Sequence, residues 1–235
     1  MDDLWVVNAG TVEYREAYAL QRRVRAARQE DLIPDVLLLL EHPPVYTRGR
    51  RSGADELTMG DAFYRERGID VVDVERGGKI TYHGPGQLVG YPIMRTESAL
   101  AFVRTMEEAL AEALREEGVP ARTRPDDGLE HIGVWVDDRK IASVGIHLSR
   151  GVTMHGFAVN VCNDLTPWGW IVPCGLYDVQ MTSIAAEKGA DGGMPCFRKR
   201  VAHRFARAHG RRQRLVSRAR LEQAVGAPAA TAGVA

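Results

Sequence analysis

Apolar positions follow two rhythms along the chain. Leu4 to Asn8 is a short apolar run that reads as a strand, and from Val12 to about Gln29 the residues Tyr14, Ala17, Tyr18, Gln21 and Val24 recur at helical spacing. Val36 to Leu40 is continuously apolar and bounded by Pro34 and by Pro43-Pro44, too short for a helix and suited to a buried strand. His42 to Arg51 then reads as an exposed loop. Ile69 to Glu75 alternates around Val71, Val72 and Val74, and Lys79 to Tyr82 and Gln87 to Met94 are further strand candidates. Gly77-Gly78 and Gly84-Pro85-Gly86 supply turns that bring backbone amides to the surface.

Ser98 to Glu117 carries the clearest helical pattern, with Phe102, Val103, Met106, Ala109, Leu110, Ala113 and Leu114 three or four residues apart, Ser98 as the cap and Gly118 as the stop. Ile132 to Val136 and Lys140 to His147, joined through Asp137-Asp138, predict a hairpin, and Phe157 to Val161 another strand. Phe197 to Ala208 is helix-like, Gly210-Arg211-Arg212 interrupts it, and the closing APAATAGVA has the small residues of a mobile tail. Strands with helices between and around them predict an α+β sheet domain, taken as residues 1–214, followed by a mobile extension over 215–235.

Composition narrows the partners. The 235 residues carry 31 Lys+Arg against 31 Asp+Glu, so there is no net field to hold nucleic acid or an anionic membrane. The N-terminus MDDLWVVNAG lacks the basic and apolar regions of a signal peptide, and no apolar run nears the roughly 20 residues of a spanning helix. A cytoplasmic protein without membrane or nucleic-acid partners is expected. Cys162, Cys174 and Cys196 include no C-x-x-C pair, which argues against a disulfide framework or a structural metal site. Thiol chemistry by one cysteine stays open.

Three stretches can carry chemistry. "RGGKITYHGPGQ", Arg76 to Gln87, is not a dinucleotide fingerprint, because its glycine spacing is wrong and strand-like residues follow; nor has Gly78-Lys79 the upstream glycine of a phosphate loop. It is either a plain hairpin with turn glycines or a wall whose backbone approaches an extended ligand, lined by Thr81, Tyr82 and His83. In "KIASVGIHLSR" strict alternation puts Lys140 on one face with Ala142 and Val144, and Ile141, Ser143 and Gly145 on the other. The small residues there and around Phe157, Gly156 and Ala158, leave room over the sheet for an apolar chain. In "IVPCG", Cys174 between Pro173 and Gly175 is either a small core residue or a nucleophile on a shaped loop. A free thiol, with a pKa of about 8.5, is mostly protonated at neutral pH; one cation at about 4 Å contributes up to about 4 kcal/mol, enough in magnitude to favour the thiolate. Cys162 reads as a core or pocket-wall residue, Cys196 has no acid–base partner in view, and His83, His147 and His155 are unplaced candidates for one.

The blocks R-G-G-K-I-T-Y-H (Arg76 to His83) with Gly86-Gln87, K-I-A-S-V-G (Lys140 to Gly145), M-H-G-F-A-V-N (Met154 to Asn160) and P-C-G (Pro173 to Gly175) together resemble, in order, those of the lipoyl(octanoyl) transferases. The resemblance runs from about Leu4 to Ser183. It implies the fold of biotin and lipoate ligases, with flanking helices on a sheet domain, and an enzyme that moves an octanoyl (or lipoyl) group from acyl carrier protein to a lysine of lipoyl domains. The implied acceptors are the 2-oxoacid dehydrogenases and the glycine cleavage H protein. Cys174 would carry the acyl group as a thioester and Lys140 would serve it as cation and then base, with no cofactor and no metal. Arg76, Gly77, Gly78, Lys79, Ile80, Thr81, Tyr82, His83, Ser143, Val144, Gly145, Gly156, Phe157 and Ala158 would bind substrate. Ser143 stands where alanine is common in the family. The Arg-rich segment Arg198 to Arg220 is a candidate docking face for the acidic carrier. Competing readings are an ATP-dependent lipoate or biotin ligase, since Arg48 to Gly53 is similar to the basic glycine loop of biotin ligases, and a non-catalytic binding module.

Overall fold

The computed structural model describes residues 2–172, 179–189 and 193–226. Cys174, Pro173, Gly175 and the APAATAGVA tail lie outside the described residues. The strands are β1 (Asp3–Thr11), β2 (Asp35–Glu41), β3 (Val45–Arg48), β4 (Asp70–Asp73), β5 (Thr81–His83), β6 (Gln87–Ile93), β7 (Gly133–Val136), β8 (Arg139–Ser149), β9 (Val152–Asn160), β10 (Gln180–Met181) and β11 (Arg212–Leu215). The helices are α1 (Tyr14–Gln29), α2 (Asp61–Glu66), α3 (Ala99–Glu116), α4 (Ile184–Lys188), α5 (Met194–Ala208) and α6 (Arg218–Val225).

The large mixed sheet runs β10-β8-β9-β6-β2-β1-β11, with β7 paired to β8; a small sheet runs β4-β3-β5. Alternation along β2 shows how the layers form. Leu37 and Leu39 face the cluster built by α3 and α5, whereas Val36, Leu38 and Leu40 face the one built by α1 and α6. A strand buried on both faces must be apolar at every position, which is why this run has no polar beat. Ser98 caps α3, accepting a hydrogen bond from Ala101 N at 3.3 Å.

Four features depart from the sequence reading. Residues 45–48, expected in an exposed loop, form β3, where Val45, Tyr46 and Thr47 are buried because β4 and β5 flank them. The hairpin β8–β9 is longer than expected and turns at Arg150-Gly151, both at positive φ, as a two-residue hairpin turn demands. Cys162, expected as a core or pocket-wall residue, lies just beyond β9 and is exposed. Residues 215–226, expected to begin a mobile extension, are packed: β11 runs parallel to β1, and Leu221 of α6 is fully buried against the α1 side of the sheet. Short polar segments hide such docking because one buried leucine and one strand edge suffice.

The arginines of the C-terminal third are spent on local acids. Arg198 pairs with Glu41, Arg200 with Glu116 and Glu117, Arg204 with Glu112 and Glu116, and Arg211 with Asp35. The bridges of Arg200 and Arg204 tie α5 to α3, those of Arg198 and Arg211 reach β2, and all of them leave these side chains little free charge for a partner. No helix among the described residues is long and apolar enough to cross a membrane.

Candidate active site

A cleft of about 340 Å³ opens between the glycine-rich loop at 76–81, β8, the first turns of α3 and the turn at 129–132. Its glycine wall is held from three sides. Arg76, nearly buried, donates from Nη1 to Lys79 O at 2.7 Å and Gly77 O at 3.1 Å, and from Nη2 to Thr47 O at 2.7 Å and Thr47 Oγ1 at 2.8 Å. A planar guanidinium can serve several fixed acceptors at once, so the loop is clamped onto β3. Glu56 accepts from Ile80 N at 3.2 Å and pairs with Lys79 Nζ at 3.1 Å. Gly77 N donates to Ile146 O at 2.9 Å, bringing the loop onto β8; a Cβ on Gly145 would stand 2.8 Å from Gly77 O, so glycine is required at that crossing.

The facing wall carries Lys140, 1 % exposed, with Nζ 5.2 Å from the Trp135 ring centroid. Strict alternation put Lys140 opposite Ser143, but the pairing of β7 with β8 shifts register: Val134 faces Ala142 and Trp135 faces Lys140, so Ile141 is an extra residue. That bulge re-aims Lys140, and it lines the cleft with Ser143, Val144 and Gly145.

Beyond Ser143 and Thr81 the cleft borders an inner slot of about 30 Å³, walled by Tyr14, Arg76, His83, Tyr91, His155, Gly156, Phe157 and Ala158. Phe157 lies across the neighbouring strand at Gly90, where any Cβ would fall 2.0 Å from its Cζ. Ser143 Oγ and His155 Nε2 are buried there without a hydrogen-bond partner. His155 is held neutral, its pKa pulled down to about 3, first by burial and then by the Arg76 charge. His83 is likewise pushed well below the usual histidine range, by burial first and then by His42. Its Nδ1 lies 2.8 Å from Gln87 Oε1, so Nδ1 carries the proton and Nε2 is an acceptor. A neutral imidazole in that tautomer has no N–H left for an oxyanion.

Gln87 continues the polar network, donating to Tyr82 O at 3.1 Å and Asn160 Oδ1 at 3.0 Å, and Asn160 donates to Thr182 O at 2.9 Å. Thr182 N in turn donates to Lys140 O at 2.9 Å, and Met181 pairs in register with Lys140. On the other side of the Cys174 segment, Val172 N donates to Glu56 O at 3.0 Å. The described residues flanking that segment are therefore tied one to the glycine wall's anchor and the other to the Lys140 strand.

Of the residues read from sequence, Arg76, Gly77, Gly78, Lys79, Thr81, Ser143, Val144 and Gly145 line the cleft with Lys140, while His83, Gly156, Phe157 and Ala158 line the inner slot. Ile80 and Tyr82 point away, into the apolar cluster of Tyr46, Tyr64, Ile69, Trp168 and Ile171 beneath the small sheet. Cys174 lies outside the described residues. The sequence reading missed Tyr14 and Tyr91, which look like ordinary core residues, and the apolar rim of Ala99, Leu100, Val103, Leu129 and Ile132. Leu129, set among Asp126, Asp127, Glu130 and His131, was the available signal; both it and Leu100 are about half exposed at one cleft mouth.

The model of the lipoyl protein ligase A/B catalytic domain matches residues 13–206. The octanoyltransferase of Dictyoglomus turgidum is 42% identical over 199 residues, covering 85% of this chain and 84% of that protein. That of Acidothermus cellulolyticus is 47% identical over 189 residues, covering 77% and 80%. Among solved structures, a lipoate protein ligase of T. acidophilum with bound lipoic acid aligns at a TM-score of 0.75 and 17% identity, covering 95% of this chain and 92% of that one. The biotin protein ligase of Aquifex aeolicus aligns at 0.51 and 14% identity, covering 88% and 69%. At such identities the two ligases speak for the fold alone.

Proposed function

The chain belongs to the octanoyltransferase family, and from that premise we propose that it takes an octanoyl group from acyl carrier protein and delivers it to a lysine of lipoyl domains through a Cys174 thioester. The observation that carries this reading is the cleft itself. Its lining is mostly apolar, its size is within the roughly 300–1,000 Å³ of small-molecule sites, and a buried lysine stands on its wall. Seven residues after Cys174, Met181 pairs with that lysine.

The chemistry balances without an energy donor. The Cys174 thiolate attacks the thioester carbonyl, the tetrahedral intermediate expels the phosphopantetheine thiolate, which takes up the proton of the Lys140 ammonium, and the octanoyl group remains on sulfur. The lipoyl-domain amine then attacks this second thioester, gives up a proton to the now neutral Lys140 and leaves the octanoyl group as an amide, regenerating the Cys174 thiolate. Thioester exchange is nearly isoenergetic and amide formation is downhill. Lys140 as a cation favours the thiolate, and once neutral it accepts the amine's proton. The acyl chain lies along Ser143, Val144 and Gly145 toward the inner slot. Each methylene buried adds about 0.8 kcal/mol, about fourfold, so discrimination against longer chains rests on that slot's end wall rather than on affinity per carbon. The acceptors are lipoyl domains of 2-oxoacid dehydrogenases and the glycine cleavage H protein.

Intact-mass measurement after incubation with octanoyl-acyl carrier protein, without ATP, tests the reading. The expected result is an octanoyl adduct that hydroxylamine removes and that Cys174→Ser lacks. No adduct, together with lipoyl-domain modification from free octanoate and ATP, would replace the transferase with a ligase.

A further inference from the structure

Helix α3 places a glutamate in the core where its helical spacing calls for an apolar residue. Glu107 is fully buried, with Oε2 2.8 Å from Arg104 Nη1 and Oε1 accepting from Gly133 N at 2.5 Å. A buried carboxylate gives up its hydration, so it calls for hydrogen bonds and positive charge around it. Gly133 opens β7, the strand whose pairing creates the bulge under Lys140. At φ +142° it accepts only glycine comfortably, and a Cβ there would sit 2.5 Å from Lys140 Cε and 3.2 Å from its Nζ. The lysine's charged end thus rests on Gly133, with the Glu107 carboxylate bound to that same glycine's amide.

We propose that Glu107 is the positioning residue of Lys140: it fixes Gly133 as the surface on which the lysine's Nζ rests, and sets a buried negative charge behind that seat. Burial raises the Glu107 pKa, opposed by the Gly133 amide, by Arg104 and by the Lys140 charge, so carboxylate and ammonium favour one another's charged forms. The other charged groups facing the cleft are Arg51, Arg76 and Lys79 on the glycine side and Glu130 on the rim. Glu130 is more than half exposed and screened by solvent, and Arg104, shared with Glu107, opposes the lysine's charge. Of the two buried carboxylates that flank this cleft among the described residues, Glu56 is bound to Ile80 N and Lys79 on the glycine side, whereas Glu107 is bound to the Gly133 amide on which Lys140 rests. The inference rests on the transfer reading only for what the cation is used for.

The chain has four lysines, Lys79, Lys140, Lys188 and Lys199, so an NMR titration of protein carrying lysine labelled at Cε can follow Lys140 individually once Lys140→Met identifies its signal. Glu107→Gln keeps the size and an acceptor for Gly133 and removes the charge. The expected result is a Lys140 midpoint lower than in the wild type, with the Lys79, Lys188 and Lys199 midpoints unmoved. Arg104→Gln, which takes a cation from the same pair, should move it upward and serves if the first variant fails to fold. A Lys140 midpoint unchanged in folded Glu107→Gln, or a downward or absent shift in Arg104→Gln, overturns the proposal. Because the titration needs no substrate, it reads independently of whether wild-type protein forms the octanoyl adduct.

Discussion

At the scale of single residues, the site depends on which atoms are missing as much as on which are present. Gly133→Ala adds one methyl group at a positive φ and against Lys140, Ala142 O being only 2.5 Å from it. Backbone strain of about 1–3 kcal/mol is expected in urea unfolding, together with at least a tenfold loss in the rate of Cys174 acylation; a variant at wild-type rate would show that Lys140 does not need this seat. Ser143 is the reverse case. Its buried hydroxyl has no hydrogen-bond partner, so Ser143→Ala should leave stability unchanged or raise it by up to about 1 kcal/mol. It also removes an oxygen from the wall shared by cleft and slot, and competition between octanoyl and decanoyl thioesters should shift toward decanoyl.

At the scale of elements, the glycine loop is clamped onto β3 because Arg76 gathers Thr47, Gly77 and Lys79 around one guanidinium. Arg76→Lys keeps the charge and loses the fork; amide hydrogen exchange at 77–80 should quicken and acyl transfer fall at least tenfold, with unchanged exchange contradicting the clamp. The elements were legible in the sequence where burial imposes a period, as in β2 and α3, and the ordered blocks singled out the cleft-lining residues around Arg76 and Ser143. What escaped was set by non-local pairing. The bulge at Ile141 exists because β7 and β8 meet out of step, so alternation alone mis-aimed Lys140, and β3 is buried by β4 and β5, which lie apart from it in sequence. Glu107 was passed over inside a helix whose pattern was read only for its apolar members.

At the scale of the whole molecule, two features govern stability. The first is a set of histidines buried in neutral form. His42 and His209 are pulled down to about 4 and His155 to about 3, in each case by burial first. The unfolded chain binds these protons near pH 6.5 and the folded one does not, so stability is intact above that pH. It falls by up to about 1.4 kcal/mol per histidine per unit as the pH drops from about 6.5 toward 4, and then levels off. Urea midpoints should therefore decline from pH 7 to pH 5, and an unchanged midpoint would mean that these rings protonate in place. The second is the ionic seam between α5 and α3. Arg200→Glu should lower the melting temperature through repulsion with Glu116 and Glu117 while leaving the Michaelis constant for acyl carrier protein at low salt unchanged; a raised constant would return the Arg-rich segment to a docking role. Finally, β1 lies inside the large sheet, with β2 on one edge and β11 on the other, Asp3 standing opposite Arg212. A ribosome makes the strand early and its second neighbour late, so at about 5–20 residues per second the growing chain trails an open sheet edge for on the order of ten seconds or longer. Premature stop codons between residues 182 and 212 should consequently be felt first as aggregation and proteolysis of the nascent product, even though every residue of the cleft has already been translated.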